Sequence, residues 1–166
     1  MAGRPRPLDA QARSELAGVE MTELHEGGCF CGKVRYRTTG VPRRVSACAC
    51  RWCQGRTGSA LGVSVYFEKS AVAFTERASK SFRLVSDAGR WIETEFCETC
   101  GTTVGWTLEF LPDYQGIAGG TFDPPTFWYD LERFVFARSK PPWLTIPEGI
   151  EVCQAMPAGQ SPRAPR

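Results

Sequence analysis

Gly28-Cys29-Phe30-Cys31-Gly32-Lys33-Val34-Arg35-Tyr36 places two thiols one residue apart, directly ahead of an alternating apolar and polar run. Such alternation is the signature of a half-buried strand. Further along, Phe96-Cys97-Glu98-Thr99-Cys100-Gly101-Thr102 carries the Cys-x-x-Cys-Gly pattern of a zinc knuckle. In each stretch the glycine after the second thiol, Gly32 or Gly101, suits the positive φ that a knuckle turn requires. Together Cys29, Cys31, Cys97 and Cys100 make a closed tetrahedral set for zinc, pinning an early strand to a late one. Closing so long a loop with a metal stabilises the fold in principle.

A third knot, Cys48-Ala49-Cys50-Arg51-Trp52-Cys53, supplies only three thiols. Structural zinc sites use four protein ligands, whereas catalytic ones keep three and an open position. Cys48 and Cys50 would share a face if their stretch is extended. Three candidates stand for a fourth ligand: Cys153, His25 or a carboxylate. Cys153, in Ile150-Glu151-Val152-Cys153, reads as a strand or packed-tail residue. His25, the chain's only histidine, lies beside Gly27-Gly28 and reads as a surface or packing residue. On the open-site reading two zinc ions bind per chain, and Cys48, Cys50 and Cys53 form the catalytic set. A thiol substrate would be held there as the nucleophilic thiolate. Arg43, Arg44, Arg51 and Arg56 could offset the negative charge and meet the carboxylates of an acidic thiol. Arg51, Trp52 and Arg56 are the substrate-binding candidates. Gln54-Gly55-Arg56-Thr57-Gly58-Ser59 reads as a flexible turn without the Lys-Ser/Thr ending of a phosphate loop. With one histidine and no marked partner, neither a Ser-His-Asp nor a Cys-His arrangement is drawn.

The rest of the chain limits the alternatives. Short β-type runs at residues 33–37, 62–67, 71–74, 81–85, 90–96, 103–106 and 116–118 lie between dense Gly and Pro breakers. Ser86-Asp87-Ala88-Gly89 reads as a hairpin turn. The expected class is all-β and mainly antiparallel, with no long helical stripe outside the N-terminal arm. Residues 1–21 and 157–166 read as disordered, basic or Pro-rich arms around a zinc-binding domain at 22–156. A net charge of +2 over 166 residues is too mild to argue for nucleic acid. No apolar run reaches membrane length, and no secretory signal is visible. A cytoplasmic, thiol-reducing setting is expected, in which clustered cysteines bind metal rather than form a disulfide framework. Nothing points to an oligomeric state.

The three cysteine motifs resemble those of the glutathione-dependent formaldehyde-activating enzyme family, which also includes centromere protein V. Gly58-Ser59-Ala60, Gly119-Gly120-Thr121-Phe122-Asp123 and Ser139-Lys140-Pro141-Pro142-Trp143 resemble its further landmarks. The resemblance runs from about Gly27 to Pro147. It implies a small all-β zinc fold, the β-tent, with a structural zinc on Cys29, Cys31, Cys97 and Cys100. A second zinc on Cys48, Cys50 and Cys53 follows from the same resemblance. It implies carbon–sulfur lyase chemistry on glutathione and formaldehyde, though some members are not known to be enzymes. The alternative is therefore a non-catalytic zinc module that binds protein or nucleic acid. Family members often carry histidine between the first two central cysteines, where this chain has Ala49.

Overall fold

The computed structural model describes residues 23–86 and 89–157. The expected arm at 1–21 lies outside these residues, as does the expected tail apart from Pro157. Asp87 and Ala88 of the expected hairpin turn also lie outside them. The flanks of that turn are in place, with the Gly89 amide donating to the Ser86 carbonyl at 2.8 Å.

Among the described residues, eleven strands, one short α-helix and three 3-10 turns follow in order. The strands and the α-helix are β1 (Leu24–Gly28), β2 (Val34–Thr39), β3 (Arg44–Cys48), α1 (Arg51–Thr57), β4 (Gly62–Glu68) and β5 (Val72–Arg77). Then come β6 (Ser79–Val85), β7 (Trp91–Cys97), β8 (Thr103–Leu108), β9 (Leu111–Ala118), β10 (Arg133–Val135) and β11 (Glu151–Cys153). The all-β expectation holds. A three-stranded sheet runs β1-β2-β5, and an eight-stranded sheet runs β11-β10-β3-β4-β9-β8-β7-β6. Pairing is antiparallel except at β10, which lies parallel to both β3 and β11.

The two sheets share a core. Val34 and Tyr36 of β2 pack with Val45, Val65, Phe67, Val104 and Ile117 of the large sheet, closed by Phe122. Burying such side chains contributes roughly 1.5–3 kcal/mol each. The chain crosses from small to large sheet at Ala78, between β5 and β6. Its amide donates to the Lys33 carbonyl and its carbonyl accepts from the Glu98 amide, each at 3.1 Å. That crossing therefore sits between the two outer cysteine turns.

On strands β3 and β4, alternation sends Val45 and Val65 into this core while Ser46 and Tyr66 face the other side. Strand β8 would break the pattern, because Val104 and Trp106 share parity. A bulge resolves the conflict: Glu95 pairs with Gly105 and Phe96 with Thr103, leaving Val104 as the extra residue. The bulge lets Val104 enter the core while Trp106 faces away from it, a use of bulges common beside functional sites.

Candidate metal centre

The outer motifs converge. Cys29 and Cys31 lie in the turn from β1 to β2, Cys97 ends β7, and Cys100 lies in the turn to β8. Their four Sγ atoms lie within 4.8 Å of one another. Cys29 and Cys31 Sγ are 3.5 Å apart, and Cys31 and Cys97 Sγ 3.6 Å. Tetrahedral thiolates about 2.3 Å from zinc would stand about 3.8 Å apart, so this cluster fits such an ion. Gly32 and Gly101 take φ of 78° and 73°. The Gly32 amide donates to the Cys29 carbonyl at 3.1 Å and the Gly101 amide to the Cys97 carbonyl at 2.9 Å, which closes each knuckle. The Val34 amide donates to Cys29 Sγ at 3.2 Å. The Thr102 hydroxyl lies 3.2 Å from Cys100 Sγ, and with its own amide it holds that thiol down at about 5. Hydrogen bonds of this kind favour the thiolate that binds metal.

The middle motif makes a separate trio. The Sγ atoms of Cys48, Cys50 and Cys53 lie within 4.8 Å of one another. Cys48 is buried at the end of β3. Cys50 is extended, with φ −65° and ψ 156°, and caps α1 by accepting from the Cys53 amide at 3.5 Å. Hydrogen bonds from the Cys48 and Cys53 thiols hold Cys50 down to about 2, and the same sharing pushes Cys48 far up. Soft thiolate donors of this kind select zinc or other thiophilic metals.

No fourth protein ligand joins the trio among the described residues. His25 instead stacks on Trp128, ring centroids 3.4 Å apart and 4° from parallel. It lies within β1, where Gly27 and Gly28 are strand residues rather than a turn. Cys153 ends β11, in register with Val135, which is in register with Cys48. Two strand spacings of about 4.8 Å separate them. Ala49 is fully buried, packed with Ala47, Phe134 and Ala137.

Residues 54–57, read from sequence as part of a flexible turn, are helical. The α1 helix has no buried residue and so presents no apolar stripe. It is held by its Cys50 cap, by the left-handed Gly58 at its end, and by Gln54, whose Nε2 donates to the Ser139 carbonyl at 3.1 Å. Arg51 and Trp52 are exposed on this helix and Arg56 is half-buried. All three line one cavity of about 590 Å³, as do the three trio cysteines.

Two features of this cavity escaped the sequence reading, and a third was foreseen only in Arg44, Arg51 and Arg56. The first is Trp106, which lies over Gly116: a Cβ built there would stand 2.3 Å from Trp106 Nε1. The Arg56 guanidinium stacks 4.1 Å above the same ring, and Trp106 Nε1 donates to the Tyr66 hydroxyl at 3.2 Å. The second is Tyr66, whose phenol keeps its proton because burial raises its pKa. The third is charge. Arg44, Arg51, Arg56, Arg90, Arg133 and Arg138 line the cavity, and no Asp or Glu is among its described lining residues. Arg133 has a carboxylate partner, donating through Nε to Glu151 at 2.8 Å. Arg43, the remaining arginine of the sequence reading, pairs instead with Glu68 at 2.9 Å and does not line the cavity. Only the bulge in β8 and the glycine opposite it could have flagged Trp106 in the sequence, and neither has a local signature.

Known proteins place this arrangement. No curated protein matches the chain. A crystal structure of a Rhodobacter sphaeroides protein resembles it with a TM-score of 0.50 and 15% identity, covering 66% of this chain and 99% of that one, a likeness of fold alone. A family model described as glutathione-dependent formaldehyde-activating enzyme matches residues 24–136, from the first residue of β1 to just past β10, and contains all seven clustered cysteines. The chain therefore belongs to the glutathione-dependent formaldehyde-activating enzyme family.

Proposed function

We propose that this protein is a zinc-dependent carbon–sulfur lyase-type enzyme that joins a glutathione-like thiol to a small aldehyde and cleaves the adduct in reverse. Cys29, Cys31, Cys97 and Cys100 hold a structural zinc, and Cys48, Cys50 and Cys53 hold a second, giving two per chain within the unit at residues 22–156. The observation that carries this reading is the contrast between the two clusters. One is a closed set of four thiols at a junction of sheets; the other is a set of three opening into a cavity. Eight unpaired cysteines agree with a reducing, cytoplasmic setting. No described helix is long and apolar enough to cross a membrane.

Zinc bound by the trio supplies Lewis-acid stabilisation of the deprotonated form of an entering thiol. The protein's own residues do the rest. Arg51, Arg56 and Arg138, which have no carboxylate partner among the described residues, bind the substrate's carboxylates. Trp106 fixes Arg56 by cation–π contact, worth roughly 0.5–2 kcal/mol depending on desolvation. Trp52 forms an exposed edge of the cavity. The protonated Tyr66 hydroxyl is a hydrogen-bond donor for an oxygen that gains charge as sulfur adds to a carbonyl. With Ala49 buried away from the cavity, the role falls to a hydroxyl, and we assign it to Tyr66, which Trp106 holds in place.

Zinc stoichiometry and proton NMR exchange of formaldehyde with glutathione test the proposal. Two zincs per chain are expected, with faster exchange in the presence of protein. Cys50→Ser should retain one zinc and lose the acceleration. Unchanged exchange with and without the natural protein would overturn the assigned chemistry.

A further inference from the structure

The cavity is much longer than its thiol end requires. Cys48 lies on β3 and Leu84 on β6, and the sheet order between them is β3-β4-β9-β8-β7-β6. Five strand spacings of about 4.8 Å make a path of about 24 Å along the sheet. The two ends differ in chemistry. Arg44, Arg51, Arg56, Arg133 and Arg138 lie with the thiols, on β3, α1, β10 and the turn after it. At the other end Leu84, Ile92, Leu108, Phe110 and Leu111 form an apolar wall on β6 to β9. The flat Trp106 ring, capped by Arg56, lies between. Arg90, the sixth arginine, lies beside the apolar end with its guanidinium 4.8 Å from the Phe110 ring.

A one-carbon hydroxymethyl group on sulfur would touch none of the apolar wall. Ile92 and Phe110, half-buried over the buried Leu84, Leu108 and Leu111, give the cavity an apolar side suited to an apolar ligand arm. We propose that the cavity takes an anionic thiol conjugate whose sulfur carries an apolar chain or ring, so that the aldehyde partner is a longer-chain or aromatic one. This rests on the carbon–sulfur reading above. In the step, the thiol S–H adds across the aldehyde C=O: an S–C bond forms, the carbonyl becomes C–OH, and the thiol proton ends on that oxygen. The reverse breaks the same S–C bond, and no oxidant or reductant enters. The thiol's acids meet the arginines near the trio, while the aldehyde's carbon arm runs across Trp106 to the wall.

Inert thioethers separate binding from chemistry. S-methylglutathione, S-dodecylglutathione and the carboxyl-esterified S-dodecyl compound should be titrated by calorimetry, below their micelle concentration, into the metal-loaded full chain. A twelve-carbon chain, about 15 Å long, passes Trp106 to the wall and should tighten binding at least tenfold over S-methyl, and esterification should weaken the S-dodecyl compound at least tenfold. Ile92→Thr and Phe110→Ala should shrink the S-dodecyl to S-methyl ratio severalfold. Equal affinities of the two thioethers for the natural protein would overturn the apolar arm, whatever the variants do. Equal affinities of acid and ester would overturn the anionic part. Formaldehyde exchange with no chain-length preference would sink this inference and leave the carbon–sulfur reading standing. A tenfold preference with no aldehyde chemistry would keep the anionic, apolar-arm binding site but overturn the carbon–sulfur reading and the aldehyde assignment with it.

Discussion

Trp106 reaches the cavity because Gly116, its cross-strand partner, has no side chain. The ring occupies the space a Cβ would need, and three neighbours use it: Gly116 beneath, Arg56 above, Tyr66 at its edge. Gly116→Ala should therefore displace the ring and cost about 1–3 kcal/mol in urea unfolding, the usual range for overpacking. It should also loosen Arg56 and weaken thioether binding. Native stability in this variant would show that the ring moves freely and positions nothing. Tyr66→Phe keeps the ring and deletes the hydroxyl that Trp106 donates to. If Tyr66 assists the developing oxygen, kcat should fall about 100-fold with KM little changed, the lower end for loss of one such donor. A purely structural hydroxyl would lower stability and leave kcat alone.

The elements were unevenly legible, and the reasons are physical. Strands β2 and β4 to β9 announce themselves through β-branched and aromatic residues in alternation. Strands β10 and β11 have three residues each; β10 exists by pairing with β3 and β11 by pairing with β10, long-range contacts that no local pattern encodes. The α1 helix buries nothing, so no 3.6-residue period marks it; its cap is a thiol that also serves the trio. The outer cluster was the most legible part, because its turns are written in Cys and Gly at fixed spacing. The cavity was the least, since its walls come from six or more strands. The knuckle glycines give a test at this scale. Gly101 sits at φ 73° with open space around it, so Gly101→Ala adds conformational strain without a clash. About 1–2 kcal/mol should be lost in metal-loaded protein. A variant as stable as the natural protein would mean that the turn relaxes out of the left-handed region.

Across the whole molecule the two thiol clusters have different mechanical positions. The outer one joins the β1–β2 turn to β7 and β8, and so ties the small sheet to the large one. The trio lies within one sheet and its adjoining helix. Metal-binding energy at a junction is folding energy. Cys97→Ser should therefore lower Tm by roughly 10 °C or more, taking a loss of several kcal/mol at about 2–4 °C per kcal/mol. Cys53→Ser should lower Tm much less. Equal drops in scanning calorimetry would contradict the division of roles. A second tie joins the segment after β9 to the small sheet: Arg35 of β2 donates through Nη1 to Asp123 at 3.0 Å, while the Asp123 amide donates to the Glu26 carbonyl at 2.9 Å. The Arg35 guanidinium holds the Asp123 carboxyl below its ordinary range. Its stabilisation is complete above the unfolded pKa of about 3.9 and fades as pH falls through the lower folded value. Asp123→Asn should flatten that acid limb of the stability curve and change little at pH 7 beyond the loss of one partly exposed pair.

The placement of β10 also has a consequence for the time course of synthesis. Cys48, Cys50 and Cys53 leave the ribosome almost together, so a nascent chain can offer all three sulfurs to a metal at once. The outer four are spread from Cys29 to Cys100, and the strands that flank β3 on its outer side, β10 and β11, arrive last of all. The sulfur trio is thus available long before the wall that shelters it. A chain stalled after β9 would carry three sulfurs that could hold a metal with one flank bare, and only translation of the last strands would cover that flank.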